Sequence, residues 1–229
     1  YDQIFHDCLL QNLPIVFCMD RAGLVGEDGP THHGVYDIAF LRSLPNIIIT
    51  APKDGNELKS LLLSGIKSNK AFSIRYPKGS SILYDPELEP EILKIGSWEL
   101  LNHGNDIAIL AVGSMVHVAK STLKLLENDN INITLVNCRF IKPLDEKMLE
   151  EIFKNHKTII TIEEGTVLGG FGSSILEYAS FNNIRSRINV LGIPDKFIQH
   201  GPRNELLDDI GLSKNKLYTT IKEILNEEK

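Results

Sequence analysis

The sequence predicts an α/β protein with a mostly parallel sheet, divided into two units. Three observations carry this. Helix and strand patterns alternate from the first residues, the strands are short continuous apolar runs suited to sheets covered on both faces, and one proline-rich aperiodic stretch interrupts the alternation. A chain of 229 residues, at about 150 per domain, admits two modest units.

In chain order, Ile4, Phe5, Cys8 and Leu9 fall at helical spacing within residues 1–11, and Leu13 to Met19 reads as a continuous buried strand. A loop from Asp20 to Gly34 follows, with four glycines and one proline. Open α/β sheets place ligands at loops that follow strand C-termini, so chemistry is sought there first. Asn46 to Thr50 is a β-branched strand, and Pro52 then opens a helix over 54–68 in which Leu58, Leu61, Leu62 and Gly65 repeat at helical spacing. Ala71 to Tyr76 returns as a strand. From Pro77 to Pro90 three prolines, acidic residues and a Lys-Gly-Ser-Ser turn show no period, the pattern of a connector. The units are therefore expected at residues 1–84 and 95–229, with a solvated linker at 85–94. In the second unit, strands are expected at 107–112, 131–136, 158–162 and 188–191. Helices are expected at 116–127, 145–155, from Gly169-Gly170-Phe171-Gly172 to about 181, and at 213–227.

Hydrophobic residues at 42% and charged residues at 24% argue against a disordered or low-complexity chain. Twenty-four Lys and Arg against 30 Asp and Glu give a net charge of -6, the wrong sign for a nucleic-acid or anionic-membrane binder. No apolar run approaches the ~20 residues of a membrane-spanning helix. The start, Tyr1-Asp2-Gln3-Ile4, resembles neither a signal peptide nor a natural N-terminus, so the true chain is expected to begin earlier. Cys8, Cys18 and Cys138 lie in apolar surroundings without CxxC spacing and are expected to be buried thiols in a reducing compartment.

The loop after the first strand places Arg21, Asp28, His32 and His33 among glycine hinges. Arginine offers a fixed fork of donors for phosphate, Asp28 can accept from sugar hydroxyls, and His32 can move protons near neutral pH. Such a set suits a polar phosphorylated substrate; the alternative is a surface loop whose Gly and Pro only shape turns. Arg75-Tyr76-Pro77-Lys78 aims a second cationic pair at a strand end, as a phosphate site or a solvated terminus. Glycines 169, 170 and 172 either present backbone N–H groups to an anion or permit close packing, and packing is the simpler reading. His103, His117, His156 and His200 show no metal-ligand spacing, and the chain has no P-loop, GxGxxG, HExxH or GxSxG string.

As one string, Asp20-Arg21-Ala22-Gly23-Leu24-Val25-Gly26-Glu27-Asp28-Gly29-Pro30-Thr31-His32 resembles the substrate loop of the transketolase-like thiamine diphosphate enzymes. Further matches are Phe40 to Pro45, Arg75-Tyr76-Pro77, Arg139 to Asp145, and Glu163-Glu164-Gly165 with the glycines at 169–172, all in family order. The Asp-Arg-Ala-Gly ahead of the shared core at Gly26 to His32 is similar to the branch that condenses pyruvate with glyceraldehyde 3-phosphate and releases carbon dioxide, feeding isoprenoid and thiamine precursors. The resemblance implies an incomplete pyrimidine-binding domain at 1–84 followed by a transketolase C-terminal domain at 95–229. It further implies a transferase that forms a homodimer in the cytoplasm or a plastid-type organelle.

Carried over by position, Arg21 would bind the acceptor phosphate, Asp28 its hydroxyls, and His32 would serve beside the reacting carbons as donor or proton shuttle. Lys78 stands where the family has Arg, keeping the charge and losing the fork, and Arg75 is either a second phosphate partner or a structural residue. The family holds thiamine diphosphate and Mg2+ through a Gly-Asp-Gly and a downstream Asn; no Gly-Asp-Gly occurs in this chain, so both are expected to be held mainly by residues outside it. The chain alone is then expected to be inactive. Two alternatives stand beside this reading: one subunit of a split transketolase, and a noncatalytic dimerisation module in which Arg21, Asp28 and His32 need not converge.

Overall fold

The computed structural model describes residues 1–227. A short helical turn of π pitch at Ile4–Leu9 leads to β1 (Val16–Met19), and a 3-10 turn at Gly26–Asp28 lies within the loop that follows. Then come α1 (Asp37–Arg42), β2 (Ile47–Thr50), α2 (Gly55–Lys67) and β3 (Ala71–Arg75). The second half holds β4 (Glu99–Asn102), β5 (Ala108–Ala111), α3 (Met115–Glu127), β6 (Thr134–Asn137), β7 (Phe140–Lys142) and α4 (Glu146–Asn155). It ends with β8 (Thr158–Thr166), α5 (Phe171–Phe181), β9 (Arg187–Ile193), α6 (Arg203–Asp209) and α7 (Lys214–Glu227). Among the described residues no helix is long and apolar enough to cross a membrane.

The strands form two mostly parallel sheets, ordered β1-β3-β2-β7 and β4-β6-β5-β8-β9. Among the strands of the described residues, β2 with β7 and β4 with β6 pair antiparallel. β2, β5 and β8 are buried along their whole length, as expected of strands in sheets covered on both faces. α2 is opened by Asp54, whose carboxylate accepts from Glu57 N at 2.9 Å, a cap of about 1 kcal/mol.

The two halves share structure. β7 comes from the second half yet pairs with β2 of the first, with Thr50 opposite Phe140, and Phe72, Phe140, Trp98 and Phe171 belong to one core. A second core lies between the larger sheet and α3 and α7, around Ile109, Leu135, Ile160 and Ile221. Residues 76–98 contain no helix or strand. They are not a free tether, because α2 straps them down: Ser64 Oγ accepts from Leu93 N at 2.7 Å, and Lys59 Nζ donates to the carbonyl of Asp85 at 2.8 Å.

Two expectations are corrected. β1 starts at Val16, after a left-handed Asn12 and after Pro14, which has no N–H to give a ladder, and it is only partly buried. Lying at the sheet edge, it leaves Cys18 exposed and Cys8 half-buried, so Cys138 alone is a buried thiol, and burial pushes it well above its ordinary pKa. α1, β4, β7 and α6 were not expected, since each is too short to show a period.

Candidate functional site

β1 and β3 lie side by side and parallel, with Met19 opposite Arg75, so the loop after β1 and the turn after β3 leave the same sheet end together. That register explains why residues 50 positions apart meet: Lys78 Nζ lies 2.6 Å from Asp28 Oδ2. The loop closes on itself at its base, where Gly23 N donates to Gly34 O at 2.7 Å and Gly34 N to Gly23 O at 2.9 Å. Inside it, His32 N bonds Gly29 O, and Val25 N donates to His33 Nδ1 at 3.1 Å. Leu24 and Val35 anchor the loop by packing into the core of the second half.

Polar groups gather at the exposed tip. Arg21, with a left-handed backbone (φ 58), is half-exposed, and its guanidinium meets the exposed Asp20 at 3.3 Å. The hydrogen bond from Lys78 holds the Asp28 carboxyl below its ordinary pKa, with the charges of Lys78, His32 and Arg21 acting in the same direction. His32 is exposed; its Nδ1 lies 2.9 Å from Thr31 Oγ1, and Nε2 has no intramolecular partner among the described residues. Arg21, Asp28, His32 and Lys78 thus form one electrostatic group at the sheet end.

Arg75 does not join them. It is 5% exposed and points inward, donating from Nε to Asp37 at 2.7 Å and from Nη2 to the carbonyls of Glu164 at 3.0 Å and Gly34 at 3.4 Å. Burial is the largest single influence and would lower its pKa, but the charge and hydrogen bond of Asp37 together with the charges of Glu164 and Glu163 outweigh it, and the shift is upward. Its guanidinium ties the loop, α1 and β8 together. His156 is likewise buried among Thr134 Oγ1 and the carbonyls of Gly104 and Ile152, and His117 bonds the carbonyl of Lys53.

Glycines 170 and 172 take the packing role. A Cβ on Gly172 would lie 2.4 Å from Val190 Cγ1, and one on Gly170 would lie 2.2 Å from Thr166 O. The N-terminus of α5 does face an anion, but it is the chain's own: Glu163 accepts from Phe171 N at 2.9 Å and Gly172 N at 2.8 Å. Burial pushes Glu163 up to about 7 against the pull of those two N–H groups.

Sequence reasoning missed Glu164, Ser114 and Arg203. Glu164 is 1% exposed and accepts from Leu24 N, Ser114 Oγ and the Arg203 guanidinium. Ser114 and Arg203 line a cavity of about 220 Å3 between the halves, together with Tyr76, Lys78, Ser80 and His117. The position of Glu164 in the matched Glu-Glu-Gly string was the only signal available, because its partners come from three separate segments.

Among the described residues no group of three or more His, Cys, Asp or Glu side chains could hold a metal ion. Arg21 and Lys78 at the loop tip suit an anionic ligand and the carboxylate of Asp28 a hydroxylated one; Asp28 is engaged by Lys78 and belongs to no carboxylate cluster that would take Mg2+. The described residues therefore offer no fit for the cofactor's metal.

Residues 1–81 match the transketolase pyrimidine binding domain, and residues 96–217 match the transketolase C-terminal domain. The 1-deoxy-D-xylulose-5-phosphate synthase of Aquifex aeolicus is 46% identical over 225 residues, covering 98% of this chain and 36% of that protein. The enzymes of that name from Carboxydothermus hydrogenoformans and Syntrophus aciditrophicus are 45% and 43% identical, each over 99% of this chain and 36% and 35% of their own length. The chain thus spans about 36% of the length of the curated relatives it matches. Among solved structures, a split gene transketolase described as an inactive beta4 tetramer superposes with a TM-score of 0.86 at 25% identity, covering 98% of this chain and 71% of that one.

Proposed function

The chain belongs to the transketolase family, and on that premise we propose that it is the acceptor-binding portion of a 1-deoxy-D-xylulose-5-phosphate synthase. The reaction is the condensation of pyruvate with glyceraldehyde 3-phosphate to 1-deoxy-D-xylulose 5-phosphate and carbon dioxide. Thiamine diphosphate supplies the carbanion chemistry when bound, and residues outside this chain hold it with Mg2+. The observation that carries the reading is the ion pair of Lys78 with Asp28 at one sheet end, with the charges of His32 and Arg21 acting on the same carboxylate, in a chain over 40% identical to synthases of that name.

In this reading Arg21 grips the acceptor's phosphate with its half-exposed guanidinium and Lys78 adds a second positive charge. Asp28, kept ionised by Lys78, accepts from the acceptor's hydroxyls. His32 offers its unpartnered Nε2 to the oxygen that gains charge as the new carbon–carbon bond forms. Arg75 supports the loop from beneath without touching substrate. The units at 1–84 and 95–229 act together, because the loop is anchored in the core of the second. Dimerisation and a cytoplasmic or plastid-type compartment follow from the same resemblance.

The split gene transketolase favours a second reading, one subunit of a two-chain enzyme that takes a ketose donor. The two are separated by release of labelled carbon dioxide from pyruvate with thiamine diphosphate, Mg2+ and glyceraldehyde 3-phosphate. The synthase reading expects release only from a chain extended upstream to the length of its relatives. Consumption of a ketose donor without carbon dioxide release from pyruvate would replace it with the transketolase reading.

A further inference from the structure

Glu164 lies in the second half of the chain, yet its carboxylate ends at the base of the loop in the first. Oε1 accepts from Leu24 N at 2.8 Å and from Arg203 Nε at 3.1 Å, while Oε2 accepts from Ser114 Oγ at 2.8 Å and from Arg203 Nη2. Its backbone carbonyl accepts from Arg75 Nη2, which also reaches Gly34 on the opposite side of the loop base. Glu164 therefore holds one side of the base directly through its carboxylate and is linked to the other by way of Arg75. Room for this exists because residue 23 is glycine: a Cβ there would lie 2.5 Å from Cδ of Glu164.

We propose that Glu164 is a positioning residue for the acceptor loop, fixing Arg21 and Asp28 relative to Lys78 through its bond to Leu24 N. It touches no substrate and acts through the loop. A buried carboxylate with four donors has little freedom, so the amide it holds has little freedom either. Affinity for the acceptor, set at the loop tip, then depends on a carboxylate at the loop base. The inference rests on the reading of the loop as the acceptor site.

The test uses the protein extended to the length of its relatives, with Glu164→Leu and Glu164→Gln compared. The amide oxygen of glutamine can still accept from Leu24 N; leucine cannot. Glu164→Leu is expected to raise the KM for glyceraldehyde 3-phosphate about tenfold or more, in line with loss of a hydrogen bond to a charged group. The KM for pyruvate and kcat at saturating acceptor should stay within about twofold, and Glu164→Gln should recover most of the acceptor KM. Amide hydrogen exchange over residues 22–34 should quicken in Glu164→Leu and not in Glu164→Gln, a readout that needs no turnover. If Glu164→Leu fails to fold, Gly23→Ala perturbs the same contact from the loop side and should give the same split. A wild-type protein that does not condense the two substrates would defeat the functional reading, while the exchange data would still test positioning. Unchanged exchange, or equal loss in both KM values and kcat, would overturn the role of Glu164.

Discussion

The carboxylate of Glu164 occupies the space beside Gly23 that any side chain would need. A Cβ at residue 23 would sit 2.5 Å from Glu164 Cδ and 2.6 Å from Cγ and Oε1, and the Gly23 backbone is left-handed at φ +82. Glycine is required there twice over, by the backbone and by the neighbour.

Gly23→Ala should therefore cost more than an ordinary surface change. A left-handed alanine costs about 1–2 kcal/mol and overpacking about 1–3 kcal/mol, so a loss of at least about 2 kcal/mol is expected in urea denaturation. A loss under about 0.5 kcal/mol would mean that Glu164 moves aside freely.

Arg75 and Asp37 form a buried pair at 2.7 Å, with side-chain exposures of 5% and 7%. Removing one partner strands the other, so Arg75→Met should destabilise the fold by about 3–5 kcal/mol, and Arg75→Lys should recover little because the bonds to Gly34 and Glu164 need the guanidinium fork. Denaturation of the variants decides it. A variant of normal stability that lost only phosphate affinity would return Arg75 to the phosphate site.

Lys78 and Asp28 are an exposed pair, and their contact should matter to ligand affinity more than to folding. In Lys78→Ala the Asp28 carboxyl should titrate closer to its ordinary value, because the hydrogen bond that lowers it is gone. NMR of the side-chain carboxyl reads this directly. Lys78→Arg should keep the shift and supply the fork.

Glu163 gives the fold a pH dependence of unusual sign. Its pKa rises from 4.5 unfolded to about 7 folded, so the folded state holds the proton more tightly. Its contribution is fully present below pH 4.5 and is lost as pH rises to about 7, a fall on the order of 3 kcal/mol. Stability of Glu163→Gln should fall less than that of wild type across this window. Parallel curves for the two proteins would remove Glu163 as the cause.

Much of the fold was legible because its strands are short apolar runs. Ile47 to Thr50 and Ala108 to Ala111 could be placed within about a residue because both are buried throughout and bounded by turn residues. β7 was not legible: three residues show no period, and its partner is β2, far upstream. Cys18 was misjudged because an edge strand and a central one read alike when both are apolar. At the site, the loop string marked Arg21, Asp28 and His32; Lys78 bonds Asp28, and the charges of His32 and Arg21 act on that carboxylate. The inward turn of Arg75 and the reach of Glu164 to Leu24, 140 residues back, are products of tertiary packing that no local pattern encodes.

The central claim is that the loop from Asp20 to Gly34 binds the acceptor and not the donor. The direct measurement is steady-state kinetics of Arg21→Ala in the protein extended to the length of its relatives, with each substrate varied in turn. The expected result is a KM for glyceraldehyde 3-phosphate raised about a hundredfold, as for a lost charge-assisted bidentate contact, with the KM for pyruvate within about twofold. An equal rise in both, or a rise in pyruvate KM alone, would contradict the assignment.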